Sequence, residues 1–190
     1  MQRRITSLLA VLAAALPFAT QADTMDYSYA EAWYVDSSLD VGDTNVDGNG
    51  FALRGSIPIM DNWFAFAMYQ DVSYDLGVDA TTLAVGGGYH WPLRDKLDII
   101  GRAGIVQSNI DAGRFDDHDS GFLLGARLRT ELAPKFEVEG GFDYVNLDDQ
   151  GNDTVGVLEG RYFFMNQLAG GLSLQLGDAT TVGINVRLTF

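Results

Sequence analysis

Short segments in which apolar and polar residues alternate with a period of two fill the chain after residue 22. The clearest is the last segment, in which Val182, Ile184, Val186, Leu188 and Phe190 share one register. Polar residues and a glycine occupy the other register. Successive side chains of a β-strand point to opposite faces, so this alternation indicates strands with one apolar face. An all-β fold follows from the pattern.

Applied along the chain, the same period predicts ten strands, with eight as the alternative count. Most of them are close to the 9–11 residues with which a tilted strand crosses a membrane. The predicted strands are 26–35, 49–59, 62–72, 80–91, 96–107, 120–132, 135–146, 154–164, 167–176 and 180–190.

The first 22 residues have the pattern of a secretory signal peptide. Arg3 and Arg4 precede an apolar run from Leu8 to Leu16, and Thr20-Gln21-Ala22 provides small residues for cleavage. The apolar run is too short for a membrane span. We therefore expect a signal peptide at 1–22 and one domain at 23–190.

Composition excludes several classes of protein. The chain has no cysteine, so disulfides and thiolate metal sites are excluded. Its net charge of −14 excludes nucleic acid as a partner, because an acidic surface repels phosphates. An apolar share of 47% is too high for a disordered acidic chain. The sequence predicts an exported, folded, acidic protein.

Connections of two kinds alternate along the chain. Tight turns are predicted at 60–61, 92–95, 133–134 and 165–166, and longer loops at 36–48, 73–79, 108–119 and 147–153. Short turns on one side and long loops on the other are typical of outer-membrane barrels. An even number of strands then places both termini on the short-turn, periplasmic side.

The loop side is strongly acidic, with Arg114 as its one basic residue. This side is predicted to form an acidic extracellular rim. Its aspartates are Asp36, Asp40, Asp43, Asp47, Asp71, Asp75, Asp79, Asp111, Asp116, Asp117, Asp119, Asp148, Asp149, Asp153 and Asp178.

Charged residues within the strands decide which face meets lipid. All of them fall in the register opposite the aliphatic residues, and positive and negative charges balance. A balanced set suits a narrow closed interior, because an unpaired buried charge costs several kcal/mol. The basic residues are Arg54, Arg102, Arg127, Arg129, Arg161 and Arg187, and the acidic ones are Asp98, Glu131, Glu137, Glu139, Asp143 and Glu159, with Glu31 as a further candidate.

The apolar register is therefore predicted to face lipid, with aromatic residues toward its two ends. Aromatic belts of this kind mark membrane interfaces. The periplasmic belt is predicted to contain Trp63, Trp91, Phe136, Phe164 and Phe190, and the outer belt Phe51, Phe122 and Tyr144.

The early Tyr27-Ser-Tyr29-Ala-Glu31 and the final strand ending NVRLTF resemble the small outer-membrane β-barrels of the OmpA transmembrane-domain, OmpX and opacity-protein type. The resemblance implies a closed antiparallel up-and-down transmembrane barrel in a Gram-negative outer membrane. It also implies that the C-terminal strand is recognised by the barrel-assembly machinery, and that outer-membrane lipids and lipopolysaccharide are partners. Most barrels of this type have eight strands, whereas the pattern here gives ten.

Asp43-Thr44-Asn45-Val46-Asp47-Gly48 matches the first half of a calcium-binding loop. A complete loop needs an acidic ligand at its twelfth position, which here is Arg54. We therefore interpret the segment as the tip of a loop, with weak binding of divalent cations by the whole rim. No metal site and no cofactor are predicted.

Two enzymatic interpretations can be weighed from the sequence. His118, Ser120 and Glu131 suggest a lipid deacylase, but Ser120 and Glu131 lie on one strand, about 36 Å apart at ~3.3 Å per residue. Asp116, Asp117 and His118 resemble the composition of outer-membrane protease sites, which need strands that rise above the membrane. We predict no catalytic residues.

The sequence thus predicts a non-enzymatic outer-membrane barrel with a structural or surface-interaction role. Loops 36–48 and 108–119 are the predicted surface for an extracellular ligand. The alternatives are a narrow ion or solute channel, a rim enzyme acting on lipid A, and a soluble periplasmic barrel whose apolar register faces inward.

Overall fold

The computed structural model describes residues 25–41, 44–113 and 116–190. Ten antiparallel strands form a closed barrel in which each strand pairs with its neighbours in sequence and the first pairs with the last. This confirms ten strands rather than eight. The strands are β1 (Tyr29–Val41), β2 (Thr44–Met60), β3 (Trp63–Tyr74), β4 (Val78–Arg94), β5 (Leu97–Asp111), β6 (Asp116–Ala133), β7 (Phe136–Leu147), β8 (Gly151–Met165), β9 (Leu168–Leu176) and β10 (Ala179–Thr189).

The predicted signal peptide at 1–22 lies outside the described residues, so it stays a prediction. Within the described ranges, no helix has the length and hydropathy needed to cross a membrane.

The predicted long loops are wrong. Most residues of 36–48, 73–79, 108–119 and 147–153 continue the hairpin ladders, as the pairs Ser38↔Asp47 and Asp111↔Asp116 show. Polar residues extend a hairpin once the apolar face has ended, because paired strands still satisfy each other's backbone groups. The barrel wall is therefore tallest at the side where loops were expected, and β6 reaches 18 residues.

The tight turns at the other side are confirmed. A β-bulge adjoins each of the four turns, at Pro58/Met60, Pro92/Arg94, Glu131/Ala133 and Phe163/Met165. Three turns also hold a residue at positive φ, namely Asn62, Lys96 and Lys135. A left-handed residue combined with a bulge is a frequent way to close a short hairpin. We call this side, which also contains residues 25–28 and Phe190, the terminal end.

The apolar register faces outward, as predicted. On β6 the outward apolar residues run from Leu132 to Phe122, ten positions or about 33 Å along the strand. A tilt of about 40° reduces this length to a height of about 25 Å, the usual height of the apolar band of an outer-membrane barrel.

Aromatic pairs lie at both edges of this band. At the terminal end, the rings of Trp63 and Tyr89 are 4.9 Å apart and those of Tyr162 and Phe164 are 5.4 Å apart. At the opposite end, the Phe51–Tyr69 and Phe122–Tyr144 pairs have centroids 5.8 and 6.1 Å apart. The two predicted belts are confirmed, with Tyr69, Tyr89 and Tyr162 as additional members.

Candidate functional site

The most distinctive feature of the interior is a layer of ion pairs that crosses the middle of the lumen. It contains the six strand arginines and the carboxylates of Glu31, Glu137, Glu139, Asp143 and Glu159, and we call it the ion-pair layer. Arg129, Arg161 and Arg187 are at most 2% exposed, and Glu137 is fully buried. The predicted inward register of these charges is therefore confirmed.

Arg127 on β6 and Arg102 on β5 share one carboxylate, that of Asp143 on β7, the strand next to β6. Asp143 accepts hydrogen bonds from Nη2 of Arg127 at 2.5 Å and from Nε of Arg102 at 2.9 Å. Arg127 also donates through Nη1 to Glu139 at 2.9 Å. Charge-assisted bonds to shared acceptors fix both guanidinium groups in the lumen.

A second group of pairs centres on Arg161. It donates to Glu137 at 2.5 Å, lies 3.3 Å from Glu31, and also pairs with Glu159. Glu159 in turn accepts from Arg54 at 2.5 Å. Strands β1, β2, β7 and β8 are thus connected through the lumen as well as through the wall.

Aromatic rings cover the faces of four guanidinium groups in the layer. Arg187 lies 3.8 Å from the ring centroid of Tyr29, and Arg54 lies 4.6 Å from that of Trp33. Planar guanidinium groups stack well on aromatic faces. The other two pairs are Arg129 over Tyr27 and Arg102 over Phe66.

Tyr27 closes the lumen at the terminal end. Its ring stacks on His90 at 4.1 Å and on Phe64 at 5.1 Å, and its hydroxyl donates to Asp98 at 2.9 Å. Tyr27 was predicted to lie within strand one, but β1 begins at Tyr29. The preceding residues instead fold into the barrel mouth, a placement that the alternating pattern does not reveal.

Glu131 has the predicted inward register, since it pairs with the inward Glu137 and its side chain is 7% exposed, but it lies beside the turn and outside the ion-pair layer. Glu131 belongs to the terminal edge, where it accepts from Lys96 at 2.6 Å, and the Lys96 side chain is 58% exposed. Glu131 lies directly before a bulge, which displaces the end of its strand. Glu31, the further candidate, joins the ion-pair layer, whose five carboxylates together with Asp98 balance the six arginines.

Between the ion-pair layer and the far end lies a cavity of about 290 Å³ inside the barrel. Its lining includes Met68, Val106, Leu123 and Val155, together with the amides of Gln70 and Gln175. A buried cluster of Trp33, Val35, Ala52 and Val72 packs across the neighbouring wall. The lumen is thus closed at mid-height and hollow above.

The end away from the chain termini carries the aspartates that the sequence grouped there, and we call it the acidic end. Among those with described side chains, most are exposed at hairpin tips; Asp43 and Arg114 lie outside the described residues. Asp119 is buried and accepts from the backbone N–H groups of Ser120, Asp149 and Gln150 at 2.7, 2.9 and 2.7 Å. Burial alone would raise the pKa of Asp119, but these bonds outweigh it and lower the pKa.

The half-motif for calcium is not a loop tip. Thr44 to Gly48 lie in β2, and Asp47 and Gly48 pair with Ser38 and Ser37 of β1. An extended ladder cannot wrap around an ion as a calcium loop does. In the described part of the chain, no cluster of three or more acidic or histidine side chains is arranged to hold a metal.

The structure separates the residues considered for catalysis. His118 and Ser120 face outward near the acidic end of β6, while Glu131 lies on the same strand at the terminal end. His90 faces the lumen beside Asp98, with Nδ1 3.3 Å from a carboxylate oxygen. The described side chains therefore do not bring a Ser-His-Glu set together.

Comparisons with known proteins agree with this architecture. Residues 6–163 match the model of the outer membrane protein beta-barrel domain family. No curated protein matches the chain. An outer membrane channel from Pseudomonas putida F1 has a similar structure, with a TM-score of 0.51, 12% identity, and coverage of 93% of this chain and 100% of that one.

Two smaller barrels are also similar. They are the N-terminal barrel of OprF from Pseudomonas aeruginosa (TM-score 0.48, 14% identity, 86% and 98% coverage) and Ail from Yersinia pestis (0.43, 14%, 86% and 100%). At such identities the likeness concerns the fold alone. The family match covers most of the chain, so this chain belongs to the outer membrane protein beta-barrel domain family.

Proposed function

We propose that this protein is a non-enzymatic, non-conducting outer-membrane barrel that presents its acidic end outside the cell as a contact surface. The observation that carries the proposal is the ion-pair layer, which fills the lumen at mid-height. In a barrel of about eight strands, side chains fill the interior, whereas open aqueous channels appear at about sixteen strands. A barrel of ten strands is only slightly wider than one of eight.

The orientation follows from the hairpins. Outer-membrane barrels have short periplasmic turns, so the terminal end lies in the periplasm and the taller acidic end lies outside. Export by a signal peptide at 1–22 and insertion through the barrel-assembly machinery, which would recognise the C-terminal strand, belong to this proposal. Extracellular partners then meet exposed hairpin tips rather than mobile loops.

The closed lumen is tested by current recordings in planar lipid bilayers. We expect no stepwise conductance from the unmodified protein, whose insertion is checked by a heat-dependent gel shift of the same sample. Stepwise currents that change with Arg127→Ala, but not with Arg94→Ala at the exposed terminal edge, would establish a channel and contradict the proposal.

The contact surface is tested with polylysine, a soluble cationic probe. Proteoliposomes in neutral lipid should bind it at low ionic strength and release it at high ionic strength, because exposed charges are screened by salt. Asp75→Asn with Asp79→Asn should weaken binding, since both side chains are exposed at the acidic end. The matched control is Asp61→Asn, exposed at the terminal end. Equal loss with the control would contradict a role for the acidic end.

A further inference from the structure

A concave site lies on the outer wall of the barrel, near the acidic end of β3 to β6. Its volume of about 460 Å³ is within the range of ordinary ligand pockets. Two cross-strand rows build it, Leu83–Gln107–Ser120 and Thr81–Asn109–His118. Tyr69 and the connection at 148–149 form its sides. All the side chains in the two rows point away from the lumen, whereas Ser108 and Asp119 in the lining have the inward register, and Ser108 also lines the internal cavity, so the barrel wall divides the two spaces.

The site begins where the apolar band ends. Directly below it on the same strands, the outward side chains of Val85, Ile105, Phe122 and Leu124 are 40–65% exposed. In an outer-membrane barrel these residues contact lipid acyl chains. The pocket therefore lies at the level of the lipid headgroups rather than in the hydrocarbon or in open solvent.

The chemistry of the lining favours a ligand rich in hydroxyl and amide groups. Gln107 and Asn109 offer amide donors and acceptors, Thr81 and Ser120 offer hydroxyls, and the connection contributes two carboxylates, Asp148 and Asp149. The described lining contains no Lys or Arg, so a bare phosphate has no charge partner. Carboxylates instead bind hydroxyl and ammonium groups strongly.

The walls of the site are held in place before any ligand arrives. Asp119 anchors the connection through the backbone N–H groups already described, and Asp71 accepts hydrogen bonds from Tyr69 and Thr81, both at 3.2 Å. The side-chain oxygen of Asn109 is buried and accepts no hydrogen bond from any described residue. Walls that are already fixed reduce the ordering cost of binding, and an unpaired buried acceptor leaves one hydrogen bond for a ligand to make.

We infer that this pocket binds the sugar headgroup of an outer-leaflet glycolipid, whose acyl chains lie along the apolar band below. The inference rests on the membrane placement of the barrel and not on the closed lumen. A conducting lumen would therefore leave it intact.

The test uses the full mature chain in nanodiscs and two probes, lipid A, which is an acylated glucosamine disaccharide with two phosphates, and the same lipid with its phosphates removed, which should be retained equally well. Native mass spectrometry measures how much lipid A stays bound after exchange into phosphatidylcholine. We expect Gln107→Ala with Asn109→Ala to bind about tenfold more weakly, the effect of losing two hydrogen bonds. The matched control is Asn152→Ala with Thr154→Ala, exposed on β8 outside the pocket. Equal binding by both variants would overturn the inference, because the lipid would then be held without this site.

Competition with soluble compounds identifies which part of the lipid is recognised. This experiment uses only the unmodified protein, so it does not depend on the folding of a variant. Soluble N-acetylglucosamine, whose amine is acylated as in lipid A, should displace lipid A from the unmodified protein, and inorganic phosphate should not. Retention should also survive EDTA. Displacement by phosphate, or loss with EDTA and recovery with Mg²⁺, would show a cation-bridged phosphate contact and would overturn recognition of the sugar.

Discussion

Removing one carboxylate from the ion-pair layer provides the sharpest test of how the barrel is held together. Glu137 is fully buried and accepts hydrogen bonds from Arg129 at 2.7 Å and from Arg161 at 2.5 Å. Glu137→Gln keeps the shape of the side chain but leaves two buried guanidinium groups with less negative charge. Breaking a buried pair costs about 3–5 kcal/mol, so we expect a loss of that size in the free energy of unfolding.

The matched control is Glu131→Gln, the same change at the terminal edge. The Glu131 side chain is only 7% exposed, but its partner Lys96 is 58% exposed and stays solvated when the negative charge is removed, so the loss should be smaller, about 1 kcal/mol. Urea unfolding in detergent micelles or lipid vesicles, followed by tryptophan fluorescence, measures both variants. Adding Arg129→Gln to Glu137→Gln should recover part of the loss, because one unpaired charge is then removed.

A loss for Glu137→Gln no larger than that for Glu131→Gln would refute a dry interior held by paired charges. Such a result would mean that water screens the middle of the lumen as well as it screens the edge. It would also weaken the argument that the layer blocks ions, since a hydrated layer offers them a path.

Three further predictions follow from contacts in the wall and at its ends. The lowered pKa of Asp119 means that its stabilising hydrogen bonds are fully present above the unfolded pKa of about 3.9 and are lost as pH falls through the folded pKa. The protection of the amides at 149–150 against hydrogen exchange, relative to their intrinsic rates, should therefore fall in that range of pH. In Asp119→Asn these amides should exchange rapidly at every pH. Gly121→Ala should cost about 1–3 kcal/mol in urea unfolding, because its Cβ would lie 1.8 Å from the carbonyl oxygen of Asn146, whereas Gly156→Ala, whose nearest atom is 3.6 Å away, should be tolerated. Tyr27→Ala should remove the seal at the terminal end and cost about 3–5 kcal/mol, and an unchanged unfolding midpoint would show that residues 25–28 do not hold the barrel closed.

The number of strands and the direction of each face could be predicted because both follow from the period of two. The extent of the hairpins could not. Beyond Phe122, the outward residues Ser120 and His118 are polar, and a polar pattern is the same for a loop and for a strand that rises above the membrane. These segments are rich in Asp, Asn and Gly, so their composition favoured turns, although most of their residues continue the paired strands.

The sequence also could not predict which charged side chains pair with each other in the lumen. Arg161 meets Glu137 directly across the β7–β8 pair, but it reaches Glu31 because β1 lies three strands from β8 around a closed wall, a distance set by barrel geometry and not by spacing in the chain. The outer pocket likewise needs the register across four strands. In the sequence, the pocket is represented only by the polar residues Ser120 and His118 before Phe122, which suggest a catalytic site when the strand register is not known.

The seam between β1 and β10 has a consequence for how the molecule forms. Eleven residue pairs close it, from Tyr29↔Thr189 to Leu39↔Ala179, and Arg187 crosses it to reach Glu31 at 2.7 Å. These contacts join positions more than a hundred residues apart, so their loop-closure entropy must be spent before they stabilise anything. Until then, two strand edges would face hydrocarbon with unsatisfied backbone groups. Assembly of this wall should therefore be slow and cooperative, with the last strand deciding whether every earlier one stays in the bilayer.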